Sequence, residues 1–116
     1  MASVTVDGNE VVLQLSRMEA LEAAHMHNTV SAPLSAVQSA LGVNDPWPEL
    51  RGVKGVGTEV PGVNMIGTRV GEGFKDFCVV HKHDPSIIIT FDSQQSEFNR
   101  WVFTGSLSDL PPELAT

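Results

Sequence analysis

At 116 residues the chain has room for one domain and not two. Apolar residues make up 41% and charged residues 18%, a balance that builds a packed core without disulfide or metal staples and excludes a disordered chain. Seven basic against 14 acidic residues give a net charge of −7, which works against generic binding to nucleic acid or to anionic lipid.

The longest unbroken apolar stretch is Phe77-Cys78-Val79-Val80, far short of the ~20 residues needed to cross a bilayer, so a transmembrane helix is excluded. The opening Met1-Ala2-Ser3-Val4-Thr5-Val6-Asp7 has neither the basic leader nor the apolar core of a secretion signal, and a cytoplasmic location is expected. The single cysteine, Cys78, has no internal disulfide partner, and its apolar neighbours point to a buried thiol rather than a nucleophile.

In chain order, Val4-Thr5-Val6 and Val11-Val12-Leu13-Gln14-Leu15 flank Asp7-Gly8-Asn9, and this pattern predicts a β-hairpin. Ser16-Arg17-Met18-Glu19 fits a capping box, which predicts a short helix to about His25 with Met18, Leu21 and His25 on one side and Glu19 and Glu22 toward water. Val30 begins an extended piece that Pro33 interrupts. The next stretch, Leu34 to Leu41, is open between helix and strand, because its apolar spacing suits either.

From Asn44 to Gly62 the composition turns to proline and glycine, and we expect one long loop, 44–62, of the kind that is often functional when ordered. Four extended runs follow at regular spacing: Val63 to Val70, Phe74 to His81, Ile87 to Phe91 and Phe98 to Phe103. Turn residues separate them, which predicts an antiparallel sheet closing into a sandwich or small barrel. In the tail, Asp109 is placed to cap one helical turn. The expected fold class is therefore mostly β with one short helix, in a single domain over 1–116.

Several segments together resemble a family. The hairpin, the capped helix, Val30-Ser31-Ala32-Pro33-Leu34, the loop Pro46-Trp47-Pro48-Glu49-Leu50-Arg51-Gly52, then Gly57-Thr58-Glu59-Val60-Pro61-Gly62 and Gly67-Thr68 look like small pleckstrin-homology-like proteins of actinobacteria. The resemblance runs from position 4 to about 103. It implies a strongly bent antiparallel sheet, a split barrel or sandwich normally closed by a carboxy-terminal helix, and it implies no activity. Pro111-Pro112 departs from that pattern, so one barrel mouth is expected to be open or covered by a partner. Phosphoinositide-binding relatives use basic residues around the first hairpin; here Asp7-Gly8-Asn9-Glu10 is acidic, and lipid binding is disfavoured.

The candidate sites follow. Arg51, Lys54, Arg69, Lys75 and Lys82 fall in one window opposed only by Glu59, Glu72 and Asp76, so a shared face would make a local anion site on an acidic protein; scattered solvated charge is the simpler reading. His25-Met26-His27 and His81-Lys82-His83 have the spacing of a chelating strand pair, yet the first lies at a helix end and the second beside a turn, which favours surface histidines. Gly52-Val53-Lys54-Gly55-Val56-Gly57-Thr58 lacks the Gly-Lys-Thr sequence of a phosphate loop, and the chain has no nucleophile elbow. Trp47, fixed between Pro46 and Pro48, either plugs the barrel under its own loop or anchors a partner together with Arg51. Gly57-Thr58-Glu59-Val60 and Gly67-Thr68-Arg69-Val70 echo each other ten residues apart, as two similar strand starts would.

The expected function is a non-catalytic binding module without cofactor or metal, contacting a protein partner or a second copy through Trp47, Arg51, Lys54 and Arg69. The competing expectations are a small-molecule binder or enzyme at the barrel mouth using His81, Asp76 or Lys75, and recognition of an anionic lipid surface through the basic window.

Overall fold

The structure, a computed structural model, describes residues 1–114. The hairpin forms as its sequence predicts: β1 (Ser3–Asp7) pairs antiparallel with β2 (Glu10–Gln14), and Gly8 turns the chain at a φ of +59°. Helix α1 (Arg17–Glu22) starts with the expected capping box, the Ser16 hydroxyl accepting from the Glu19 amide and the Glu19 carboxylate from the Ser16 amide. Next, β3 (Thr29–Pro33) returns beside β2 and completes a three-stranded sheet in the order β1-β2-β3.

The stretch left open between helix and strand is both in turn: a 3₁₀ turn over Leu34–Ala36 and then strand β4 (Val37–Val43). A second 3₁₀ turn, Trp47–Glu49, precedes β5 (Val53–Val60), β6 (Asn64–Gly71), β7 (Phe74–His81), β8 (Ser86–Phe91) and β9 (Arg100–Thr104). These form a six-stranded sheet in the order β4-β8-β9-β7-β6-β5. The tail carries 3₁₀ turns at Leu107–Asp109 and Pro112–Leu114; Ser106 caps the former, with Asp109 as the reciprocal partner of its capping box rather than the cap itself.

Alternation along the strands gives the larger sheet two faces. Ile66, Phe77, Val79, Ile87, Ile89, Phe91, Trp101 and Phe103 project from the first and pack against Val4, Val11, Leu13, Val30 and Ala32 of the small sheet and Ala20 and Ala23 at α1. Met65, Cys78, Val80, Ile88 and Val102 project from the second and lie under Val43, Trp47 and Leu50. The molecule is thus mostly β with one short α-helix, and no helix among the described residues is long and apolar enough to cross a membrane.

Four expectations are corrected. The loop 44–62 is only half loop, because its second half is β5, paired with β6 from Val53↔Val70 to Val60↔Asn64. Its glycines are what the pairing requires: Gly57 and Gly67 sit opposite each other at φ values of +134° and +143°, and a Cβ on either would run into the facing backbone. Of the ten-residue echo only the two glycines face each other, and they lie inside β5 and β6 rather than at strand starts. Second, the large sheet is mixed, since β7 and β9 run parallel, Asp76 beside Arg100 and Val79 beside Phe103. Third, α1 ends at Glu22 rather than near His25. Fourth, α1 turns its other side inward: Glu19 and Ala20 are buried, while Met18 and Leu21 are 64% and 70% exposed. Small side chains let the backbone approach the sheet, and the Glu19 carboxylate finds its partner there.

Candidate functional site

Chain 44–52 lies over the second face of the large sheet, and polar groups hold that cover down. Trp47 donates its indole Nε1–H to the Lys82 carbonyl at 2.7 Å, its amide donates to the Asp45 carboxylate, and its ring lies against the His83 ring. Leu50 packs beside it over Cys78 and Val80. Arg51 then makes a fork with Asp76, Nε to Oδ2 at 2.7 Å and Nη2 to Oδ1 at 2.9 Å, and its guanidinium lies 4.3 Å from the centre of the Phe74 ring.

Asp76 is 1% exposed and also accepts from Arg100 Nε at 3.1 Å, so a fully buried carboxylate is met by two guanidinium groups. Arg100 reaches on to the Glu49 carbonyl, and Arg69 donates to the carbonyls of Arg51 and Gly52 and to the Glu59 carboxylate. The hydrogen bond to Asp76 holds the Arg51 guanidinium above its ordinary pKa. Burial pushes the Cys78 thiol up to about 12, and it has no nucleophilic role at neutral pH.

The His81-x-His83 pair divides between the two faces. Nε2 of His81 lies 2.7 Å from the 3%-exposed Glu19 carboxylate and so ties α1 to the first face. Nδ1 of His83 lies 3.0 Å from Asp45 and ties chain 44–52 to the second. Burial works against the charge of Glu19, but the Ser16 amide and the His81 ring outweigh it and hold the carboxyl below its ordinary value. For Asp45 the Trp47 amide, joined by His83, does the same. Each histidine therefore clasps an acid that also accepts from a backbone amide at the start of a helical turn, Ser16 for Glu19 and Trp47 for Asp45. His25 lies apart, its Nε2 near the Thr29 carbonyl and its ring against Phe77. Among the described residues no three His, Cys, Asp or Glu are grouped to hold a metal ion.

Of the four residues singled out for partner contact, Trp47, Arg51 and Arg69 make the intramolecular contacts that fasten 44–52, and only Lys54 stands clear, its Nζ touching the Gly57 carbonyl. The basic window does not form one face: Lys75 pairs with Glu97 beside the Phe98 ring, and Lys82 occupies the β7–β8 turn at a φ of +54°. Nor do His81, Asp76 and Lys75 meet, since His81 engages Glu19 at α1 and Asp76 lies under 44–52.

Sequence reasoning did not single out Arg100 or the docking role of Glu19. The signal available was Asp76 itself, an acid two residues from Cys78 in an apolar strand, where a buried charge calls for a cationic partner on an adjacent strand.

A surface that sequence reading placed in a loop is instead the free edge of β5. It is the last strand of the large sheet, and Val53, Val56 and Val60 are 67%, 55% and 47% exposed, with Val63 beyond the strand at 55%. An exposed apolar edge offers unpaired backbone groups and apolar side chains together, the two things a partner strand needs. Comparison with known proteins finds no family model, no curated protein and no solved structure that matches this chain.

Proposed function

We propose that the protein is a non-catalytic protein-binding module of the pleckstrin-homology-like kind that its loop motif resembles, and that it takes a partner strand on the β5 edge. The observation that carries this reading is the row Val53, Val56 and Val60 left exposed along an edge strand in which no position is buried, whereas the central strands β7, β8 and β9 are buried along most of their length. Arg51 and Arg69 fit the reading as supports, because they fix the start of β5 from beneath and leave its outer edge uncovered. Glu19, Asp45, Asp76, His81 and His83 all have structural partners, which also favours binding over catalysis.

Site-specific photocrosslinking in the protein's own cells tests this. A crosslinking side chain in place of Val53 or Val56 is expected to give a discrete adduct, and the same group at Glu72, in the exposed β6–β7 turn, is expected to give none. Equal crosslinking at all three positions, or none at any, removes the β5 edge as the binding surface.

A further inference from the structure

We infer that the occupant of the β5 edge is a second copy of this chain, paired antiparallel about a two-fold axis at Gly57, with the extra residue of the β5 bulge left unpaired on each copy. The inference rests on the binding role of β5 and adds the partner and the register.

In such a pairing Val53 faces Val60 of the other copy and Lys54 faces its Glu59, and the symmetry repeats both pairs. The faces agree because of the bulge. Between Lys54 and Gly57 the β5–β6 register shifts by one residue, so Val53 and Val60, opposite Val70 and Asn64, share one side, while Lys54 and Glu59, opposite Arg69 and Met65, share the other. Residues directly opposite in an antiparallel pair must project from the same face. The bulge is what allows residues an odd number of positions apart to satisfy that rule.

Neighbouring registers fail. A slip of one residue sets Lys54 opposite Thr58 or Val60, which belong to the other face, and centring on either charge sets lysine against lysine or glutamate against glutamate. One register alone satisfies alternation, apolar matching and charge. Lys54 is free to reach across, since among the described residues its Nζ meets only the Gly57 carbonyl, and Arg69 engages Oε1 of Glu59 from within the chain.

The test is sedimentation of the full chain over a wide concentration range, with charge reversal at both positions. Wild type is expected to dimerise. Lys54→Glu alone and Glu59→Lys alone are each expected to weaken the dimer by roughly thirtyfold, because two symmetric pairs turn from attractive to repulsive. An equimolar mixture of the two variants is expected to restore association as a heterodimer, in which both facing pairs are again opposite in charge. Glu59→Lys also removes the Arg69 partner, so its fold is checked by thermal melting, and restoration in the mixture separates lost contact from lost fold. A wild type that stays monomeric at every concentration overturns the inference, as does a dimer that ignores both reversals. The photocrosslinked adduct at Val56 distinguishes this failure from that of the binding role: an adduct with a different protein ends the self-pairing and keeps the edge as a binding surface, and absence of any adduct ends both.

Discussion

The two faces of the six-stranded sheet are covered by different means. On the first, apolar side chains of a second sheet and of α1 interlock with Phe77, Ile89, Trp101 and Phe103, and dispersion and burial hold the layers. On the second, nine residues of irregular chain lie over Met65, Cys78 and Val102, and their hold depends on Asp76 between Arg51 and Arg100, on Arg69, and on the Trp47 indole. A short segment buries too little apolar surface to fix itself, so directional polar contacts substitute for area. A cover held this way is expected to open locally while the sandwich beneath it stays folded.

The comparison breaks if both faces respond alike to mutation. Trp101→Ala on the first face removes a side chain with no exposed surface and is expected to cost about 3–5 kcal/mol in urea denaturation. Asp76→Ala on the second is expected to cost about 2–3 kcal/mol, because it strips a charged hydrogen-bond partner from Arg51 and from the largely buried Arg100. A neutral Asp76→Ala would mean that apolar packing by Trp47 and Leu50 is sufficient to hold the cover.

Local signals in the sequence were strong where local chemistry decides the structure. Asp7-Gly8 specified the hairpin and Ser16 with Glu19 specified the helix start, because turn and cap preferences act within a few residues. Four strands after position 63 were readable from alternation and turns to within two residues. What escaped was set by contacts distant in sequence. Gly55 and Gly57 read as loop, yet Gly57 occupies a strand because Gly67 faces it ten residues away. The inward side of α1 was misread because six residues are too few for periodicity to outweigh one buried carboxylate, whose partner His81 lies 62 positions downstream. The parallel pairing of β7 with β9 leaves no local mark at all. Of the site, Trp47 and Arg51 stood out from sequence, whereas the β5 edge did not, since the same glycines concealed the strand.

Cys78 sharpens the comparison, because it lies on the second face under chain 44–52 and its thiol is otherwise inert. Arg51→Ala removes one side of the fork on Asp76, a side that is 41% exposed and therefore partly screened. We expect labelling of Cys78 by a thiol reagent to accelerate about fivefold, through local opening of the cover, with only a small change in the urea midpoint. Labelling that follows global unfolding alone would show that the cover and the sandwich open together. Trp47→Phe keeps most of the ring but loses the bond to the Lys82 carbonyl, at an expected cost of about 1 kcal/mol in the same denaturation assay.

The smallest effect concerns how α1 is tied to the first face. The folded pKa of Glu19 is lowered from 4.5, despite burial, by the Ser16 amide and His81. A carboxyl shifted in this direction adds stability that is fully present above its unfolded pKa and is lost as pH falls through the folded one. Glu19→Gln keeps the size and the cap hydrogen bond but removes the charge, so it is expected to melt lower than wild type near neutral pH by the equivalent of about 1 kcal/mol. That gap should shrink as pH drops below 4.5, since wild type then loses what the variant already lacks. No gap near neutral pH would mean that α1 is docked by packing of Ala20 and Ala23 without help from the Glu19 charge, in full contrast to the second face, and a gap that stays constant through the acid range would mean that what Glu19 contributes is not its charge.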